Sequence, residues 1–87
     1  MITGKTSSGF DFHLDEEKTD DYEFLEMVCE IDNGKVSLVP KMAIQLLGKD
    51  QMNALKEHVR DSNGKVSARK IADEIGEIMA NSKAKNS

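Results

Sequence analysis

The pentapeptide Asn-Gly-Lys-Val-Ser occurs twice in the chain, at 33–37 and again at 63–67. In each copy the Asn-Gly pair supplies residues that tolerate the left-handed backbone conformation in which helices end. Val and Ser follow as an apolar residue and a candidate N-cap, and in the second copy Val66 can pack on Ile71 after Ser67 has begun a helix. Each copy follows a helix-like stretch and precedes another, so the two copies are predicted to mark boundaries between elements.

The same pentapeptide also resembles the middle of a calcium-binding loop of the EF-hand type. When its Gly is aligned with the loop glycine, the first and last ligand positions hold Val59 and Lys70 in the second copy, and Cys29 and Pro40 in the first. Calcium requires oxygen ligands at those positions. We therefore predict that the pentapeptide only separates helices and that the chain has no metal site and no cofactor.

The spacing of apolar residues predicts an α+β fold that is mainly α, with an N-terminal β-hairpin followed by about four short helices. Phe10, Phe12 and Leu14 alternate with polar residues, which is typical of a half-buried strand. The predicted bounds are a hairpin at 2–15 and helices at about 20–33, 38–47, 50–61 and 68–81, in one domain of residues 1–81 with a disordered tail at 82–87. Residues 15–21 are predicted to be a charged link, with Thr19 and Asp20 as caps.

The predicted core is drawn from the apolar side of each element. Its members are Phe10, Phe12, Phe24, Val28, Met42, Leu46, Leu55, Val59, Ile71, Ile75 and Ile78. A chain this short buries only about 60% of the surface that its unfolded form exposes, so the core is thin.

No arrangement of residues typical of catalysis is present. His13 and His58 are far apart in the sequence and have no Cys or carboxylate at the spacing of metal ligands, and Cys29 is predicted to be a small core residue. We predict that the protein is not an enzyme. The single cysteine fits a reducing compartment, and there is no apolar run of about 18 residues, so we expect a cytoplasmic protein without a membrane span.

The segment 38–47, with the sequence LVPKMAIQLL, is apolar on nearly every side. A helix of this kind is either central to the core or covered by a partner, and the sequence leaves both readings open. If a partner covers it, the surface for self-association or for a partner is predicted to comprise Leu38, Val39, Met42, Ile44, Leu47, Phe10 and Phe12.

Charge is distributed unevenly along the chain. Residues 1–34 carry ten acidic and two basic side chains, and residues 35–87 carry six acidic and ten basic ones, so the two parts have net charges of −8 and +4. The two parts are either separate solvated faces, or the acidic part of one copy meets the basic part of another.

The stretch Val66–Gly76, VSARKIADEIG, resembles the first half of a helix-turn-helix DNA-binding unit. The residues that follow are too short and too weakly apolar for a docked recognition helix, and the chain is acidic overall. Ile75, Ile78 and Met79 fit better as one helical stripe that continues through Gly76. A truncated helix-turn-helix regulator is therefore the alternative function, together with a generic helical adaptor, and no nucleic-acid partner is expected.

Four segments carry a resemblance to a known family: Gly-Phe-Asp-Phe at 9–12, Asp-Asp-Tyr-Glu-Phe-Leu at 20–25, Leu-Leu-Gly-Lys-Asp-Gln at 46–51 and Leu-Lys-Glu-His-Val-Arg-Asp at 55–61. Over residues 2–80 the chain resembles the small tail assembly chaperones of long-tailed phages and prophages of Gram-positive bacteria. The resemblance implies a non-catalytic protein that oligomerises and coats the tape measure protein in the bacterial cytoplasm. It also implies that tail tube subunits displace the chaperone, which is absent from the mature virion.

Overall fold

The N-terminal hairpin pairs two short strands, β1 (Ile2–Lys5) and β2 (Asp11–Leu14), in antiparallel register. The computed structural model describes the backbone of residues 2–86 and the side chains of residues 2–81. Four helices follow, namely α1 (Glu16–Thr19), α2 (Tyr22–Asp32), α3 (Val39–Val59) and α4 (Ala68–Asn86), with a 3₁₀ turn at Val36–Leu38 before α3. The predicted fold class, a hairpin followed by about four helices, is confirmed.

Gly48 divides α3 into two helical halves, at 39–47 and 49–59. Its backbone angles, φ 81° and ψ 162°, lie in a region that only glycine enters readily. Pro40 stands in the first turn, where its missing N–H would have had no helical partner anyway. The two helices that the sequence predicts on either side of Gly48 correspond to the two halves of one kinked helix.

The charged link predicted at 15–21 contains a short helix, α1, and the caps differ from those predicted. Asp15 accepts a hydrogen bond from the N–H of Glu17, and Asp21 caps α2 by accepting from the N–H of Glu23 at 2.9 Å. Thr19 does not cap a helix start, because its hydroxyl donates to the carbonyl of Glu16. The prediction that Thr19 and Asp20 cap the start of the next helix was wrong, because Asp15 and Asp21 have the extended backbone that an N-cap requires. Asp20 is instead the C-cap residue of α1.

The two copies of the pentapeptide have different structures. In the first, Gly34 has φ 107° and the N–H groups of Gly34 and Lys35 bond to the carbonyls of Ile31 and Glu30, so α2 ends in a Schellman motif. In the second, α3 has already ended, and the Asp61 carboxylate accepts from the N–H of Lys65 to close a separate turn. The expectation that both copies end helices therefore holds only for the first.

The second copy does begin a helix as predicted. The Ser67 hydroxyl accepts from the N–H of Lys70 at 3.3 Å, and the Ser67 carbonyl accepts from the N–H of Ile71. Before it, Arg60 donates two hydrogen bonds to the Glu57 carboxylate and a third to the Gly64 carbonyl. The hydrogen bonds and the positive charge of Arg60 hold the pKa of Glu57 below its usual value. These bonds fix the course of the α3–α4 loop.

The core lies where the hairpin, α2, α3 and α4 meet. The buried apolar side chains are Ile2, Phe10, Phe12, Leu14, Phe24, Met42, Ala43, Leu46, Leu47, Met52, Leu55, Ile75 and Ile78. Eight of the eleven predicted core residues are buried, and Val28, Val59 and Ile71 pack against the core while partly exposed. β2 packs on α3 and β1 on α4, so the hairpin covers one end of the helical layer.

The C-terminal helix extends farther than the sequence predicts, since α4 spans Ala68–Asn86. The predicted disordered tail at 82–87 lies outside the residues whose side chains are described. Within the described part of the chain, no helix has the length and apolar character needed to cross a membrane.

Candidate partner-binding groove

The seven residues predicted to form a partner surface are placed very differently by the fold. Phe10, Phe12, Met42 and Leu47 are buried within the single chain, and Leu38 and Val39 are partly buried. Only Ile44 is largely exposed, at 49%. Three of the four buried residues, Phe10, Phe12 and Leu47, do not line the groove described below, whereas Met42 and Val39 do. The partner surface formed by all seven residues stays a prediction. Of the two readings of segment 38–47, the core helix describes the structure.

A different apolar surface opens between the helices. A groove of about 330 Å³ lies among α2, the 3₁₀ turn, the first half of α3 and α4. It is lined by Val28, Ile31, Asp32, Val36, Val39, Met42, Ala72, Ile75, Gly76 and Met79. Every lining residue except Asp32 is apolar or a glycine. The groove forms because α2 and α4 both pack on α3 and leave the space between them unfilled.

Exposed apolar side chains continue from this groove onto α2. Val36, which lines the groove, is 70% exposed. Tyr22 and Leu25 are 73% and 53% exposed, and Leu25 precedes the groove residue Val28 by three positions, which places the two side by side on the helix. Cys29, predicted to be a core residue, is exposed on the same side of α2 as Leu25. The groove is thus part of a larger unfilled apolar surface.

The helix on one side of the groove, α2, is acidic. Between residues 22 and 32 there are four acidic side chains and no basic one, a net charge of −4. Asp32 lies in the groove lining itself, and Glu30 forms an exposed ion pair with Lys35 at 3.5 Å. A partner that enters the groove therefore meets a negative field along its α2 side.

A second cavity, of about 510 Å³, lies where the hairpin turn meets α4. The hydroxyls of Thr6 and Ser8 donate to the same oxygen of Glu74, at 2.7 and 2.9 Å, and Glu74 is only 5% exposed. Ser7 donates from its N–H and its hydroxyl to Glu77. We call these residues the turn cluster: Thr6, Ser7, Ser8, Glu74, Glu77 and the neighbouring His58.

The turn cluster contains a serine, a histidine and a carboxylate, but their hydrogen bonds run in the wrong order for a nucleophilic triad. In a triad the histidine takes the serine proton and the carboxylate binds the histidine. Here the hydroxyl hydrogen of Ser8 goes to Glu74, so Nε2 of His58, 3.0 Å away, donates to Ser8. His58 also packs its ring on Phe10, with centroids 5.4 Å apart. The arrangement joins the hairpin turn to the helices.

One residue of the turn cluster, Glu74, stands out in the sequence. Glu74 falls at a position where the stripe of Ile71, Ile75 and Ile78 calls for an apolar residue, so a buried carboxylate needed donors from elsewhere. Those donors come from 66 and 68 positions earlier in the chain. Among the side chains that the structure describes, no group of three or more His, Cys, Asp or Glu could hold a metal ion.

α4 is a continuous helix through Gly76. The turn that a helix-turn-helix unit would need at that position is therefore missing, and the stripe of Ile75, Ile78 and Met79 runs along one helix. Comparison with protein-family models, with curated proteins and with solved structures found no significant match.

Proposed function

We propose that this protein is a non-catalytic tail assembly chaperone of a long-tailed phage or prophage, which binds the tape measure protein and oligomerises during tail assembly. The observation that carries the proposal is the unfilled apolar groove between α2 and α4, with exposed Val36 and Leu25 beside it. A chaperone for a long helical client needs apolar surface that remains accessible, and charge beside it to limit aggregation.

The shape of the groove suits a helical client. Two helices with a third beneath them form the kind of surface on which an amphipathic helix places one apolar face. The groove volume of about 330 Å³ accommodates side chains of one face, while the backbone of the client remains outside. The client would leave when tail tube subunits compete for it, so the chaperone acts in the host cytoplasm and is not part of the virion.

A generic helical adaptor would use the same groove, and the identity of the client separates the two functions. The test is binding of purified protein to fragments tiled along the tape measure protein encoded in the same phage or prophage genome. We expect a subset of helical fragments to bind, and helical fragments of an unrelated coiled coil to bind much more weakly. Equal binding to both sets would favour the adaptor.

Two matched variants locate the binding surface. Val36→Glu places a charge in the groove, whereas Ile44→Glu places one on an exposed apolar residue that does not line it. We expect Val36→Glu to weaken fragment binding at least tenfold, since an unpaired charge against an apolar face is costly, and Ile44→Glu to leave it unchanged. The reverse result would indicate that the client binds the outer face of α3.

DNA binding in the micromolar range at physiological salt, the range of non-specific DNA binders, would instead favour a regulator.

A further inference from the structure

We infer that the groove binds an amphipathic helix whose apolar face is flanked by Lys or Arg on the side that meets α2. The inference rests on the proposed function in so far as this helix would be the segment of the tape measure protein that the chaperone holds. The shape of the α4 side of the groove and the charge of the α2 side both support this partner.

At its centre, the α4 side of the groove carries only the small residues Ala72 and Gly76. A Cβ added at Gly76 would meet no heavy atom within 4 Å, and the neighbouring Ala72 is exposed and also small. Helix axes pack 8–10 Å apart according to the side chains between them, and small residues allow the closer approach. A partner helix can therefore lie close to α4 here, with its larger apolar side chains directed toward Val39 and Met42.

The α2 side selects the charge of the partner. Residues 22–32, which form α2, carry a net charge of −4, and Asp32 is in the groove lining. Fields of exposed charges extend about 8 Å at physiological ionic strength, which reaches the flank of a helix seated in the groove. Acidic flanks would be repelled, and basic flanks would be attracted and would fix the orientation of the helix.

The test uses two synthetic helical peptides of equal length with the same Leu and Ala stripe, one flanked by Lys and the other by Glu. Fluorescence anisotropy measures their binding to the full-length protein. We expect the Lys-flanked peptide to bind at least tenfold more tightly at low salt and this ratio to fall at high salt, where the Debye length is about 3 Å. Equal affinities for the two peptides would overturn the charge selection.

A matched pair of leucine substitutions tests the place of binding. Gly76→Leu adds a large side chain at the centre of the α4 side of the groove. Leu is a better helix former than Gly, so a loss of binding cannot be attributed to a weaker helix. Ala54→Leu adds the same side chain at an exposed position of α3 outside the groove lining. We expect at least a tenfold loss of peptide affinity for Gly76→Leu and no change for Ala54→Leu. Unchanged affinity in Gly76→Leu would overturn the inference.

The experiments distinguish a failure of the proposed function from a failure of the inference about the groove. If tape measure fragments bind wild type and Gly76→Leu equally well, the client uses another surface, and the inference fails while the proposed function stands. If the Lys-flanked peptide binds in the groove but no tape measure fragment does, the proposed function fails and the groove specificity stands. If wild type is an oligomer that Gly76→Leu dissociates and that the peptide does not disrupt, a second copy occupies the groove and the inference is overturned.

Discussion

Two glycines have equal free space around them but opposite backbone requirements. At Gly48 and at Gly76 an added Cβ would meet nothing within 4 Å. Gly48 has φ 81° and ψ 162°, where residues with a side chain are strained, whereas Gly76 stands inside α4. Only the backbone therefore distinguishes the two positions, which makes them a controlled pair.

We predict that alanine has opposite effects at the two positions. Gly48→Ala should lower the free energy of unfolding by about 1–3 kcal/mol, because the kink in α3 holds the residue in a glycine region. Gly76→Ala should raise it by about 1 kcal/mol, because glycine inside a helix costs this much relative to alanine. Urea unfolding followed by circular dichroism measures both values. A shift of the same sign in both variants would contradict the backbone assignment.

At the scale of the elements, the hairpin depends on contacts with the helices. Two strands of four residues each are barely stable by themselves in water. The apolar face of β2 is buried, and the turn cluster fixes the other end of the hairpin to α4. On the outer side of β2, the Gln51 amide both accepts from the N–H of His13 and donates to its carbonyl, so this edge position is already hydrogen-bonded.

We predict that the turn cluster contributes measurably to stability through its buried part. Thr6→Val keeps the shape of the side chain but removes a donor to buried Glu74 and the acceptor for the N–H of Phe10, and should cost about 1–3 kcal/mol. Ser7→Ala removes only the exposed bond from the Ser7 hydroxyl to Glu77, keeps the bond from the Ser7 N–H, and should cost no more than about 1 kcal/mol. Denaturant unfolding ranks the variants, and hydrogen exchange should show faster exchange of hairpin amides in Thr6→Val. Equal losses of stability in the two variants would show that burial of the hydrogen bonds does not determine how much they contribute.

The elements were predictable because their signals are local. Alternation at 10–14, helical spacing around Phe24 and Ile75, and the glycine at position 48 each depend on residues a few positions apart. The turn cluster and the groove were not predictable, since they join residues such as Thr6 and Glu74 that come together only when the helices pack. The same limit left two readings open for segment 38–47, because an apolar segment does not reveal whether it is covered by the same chain or by another.

At the scale of the molecule, the arrangement of charge matters more than its net value. The chain measures 38 Å along its longest axis, several times the screening length of about 8 Å at physiological salt. A partner therefore responds to the nearest charged face and not to the sum of −4. The acidic residues of α1 and α2 form one such face, and the chain beyond residue 34 carries a net charge of +4.

We predict that the protein self-associates through apolar surface and complementary charge, so that association weakens as salt is raised. Sedimentation velocity at several protein concentrations should show a species larger than the monomer at low salt, with an average mass that falls at high salt.

The charge contribution to self-association can be isolated on α2, where Glu23 and Glu26 are both exposed. The double variant Glu23→Lys/Glu26→Lys should shift the equilibrium toward monomer at low salt, because like charges then face each other across the contact. The control Glu23→Asp/Glu26→Asp keeps the charge and should associate like wild type. A strict monomer at high protein concentration would contradict self-association, and an oligomer whose mass is the same in both variants and at every salt concentration would show that apolar contact alone holds the copies together.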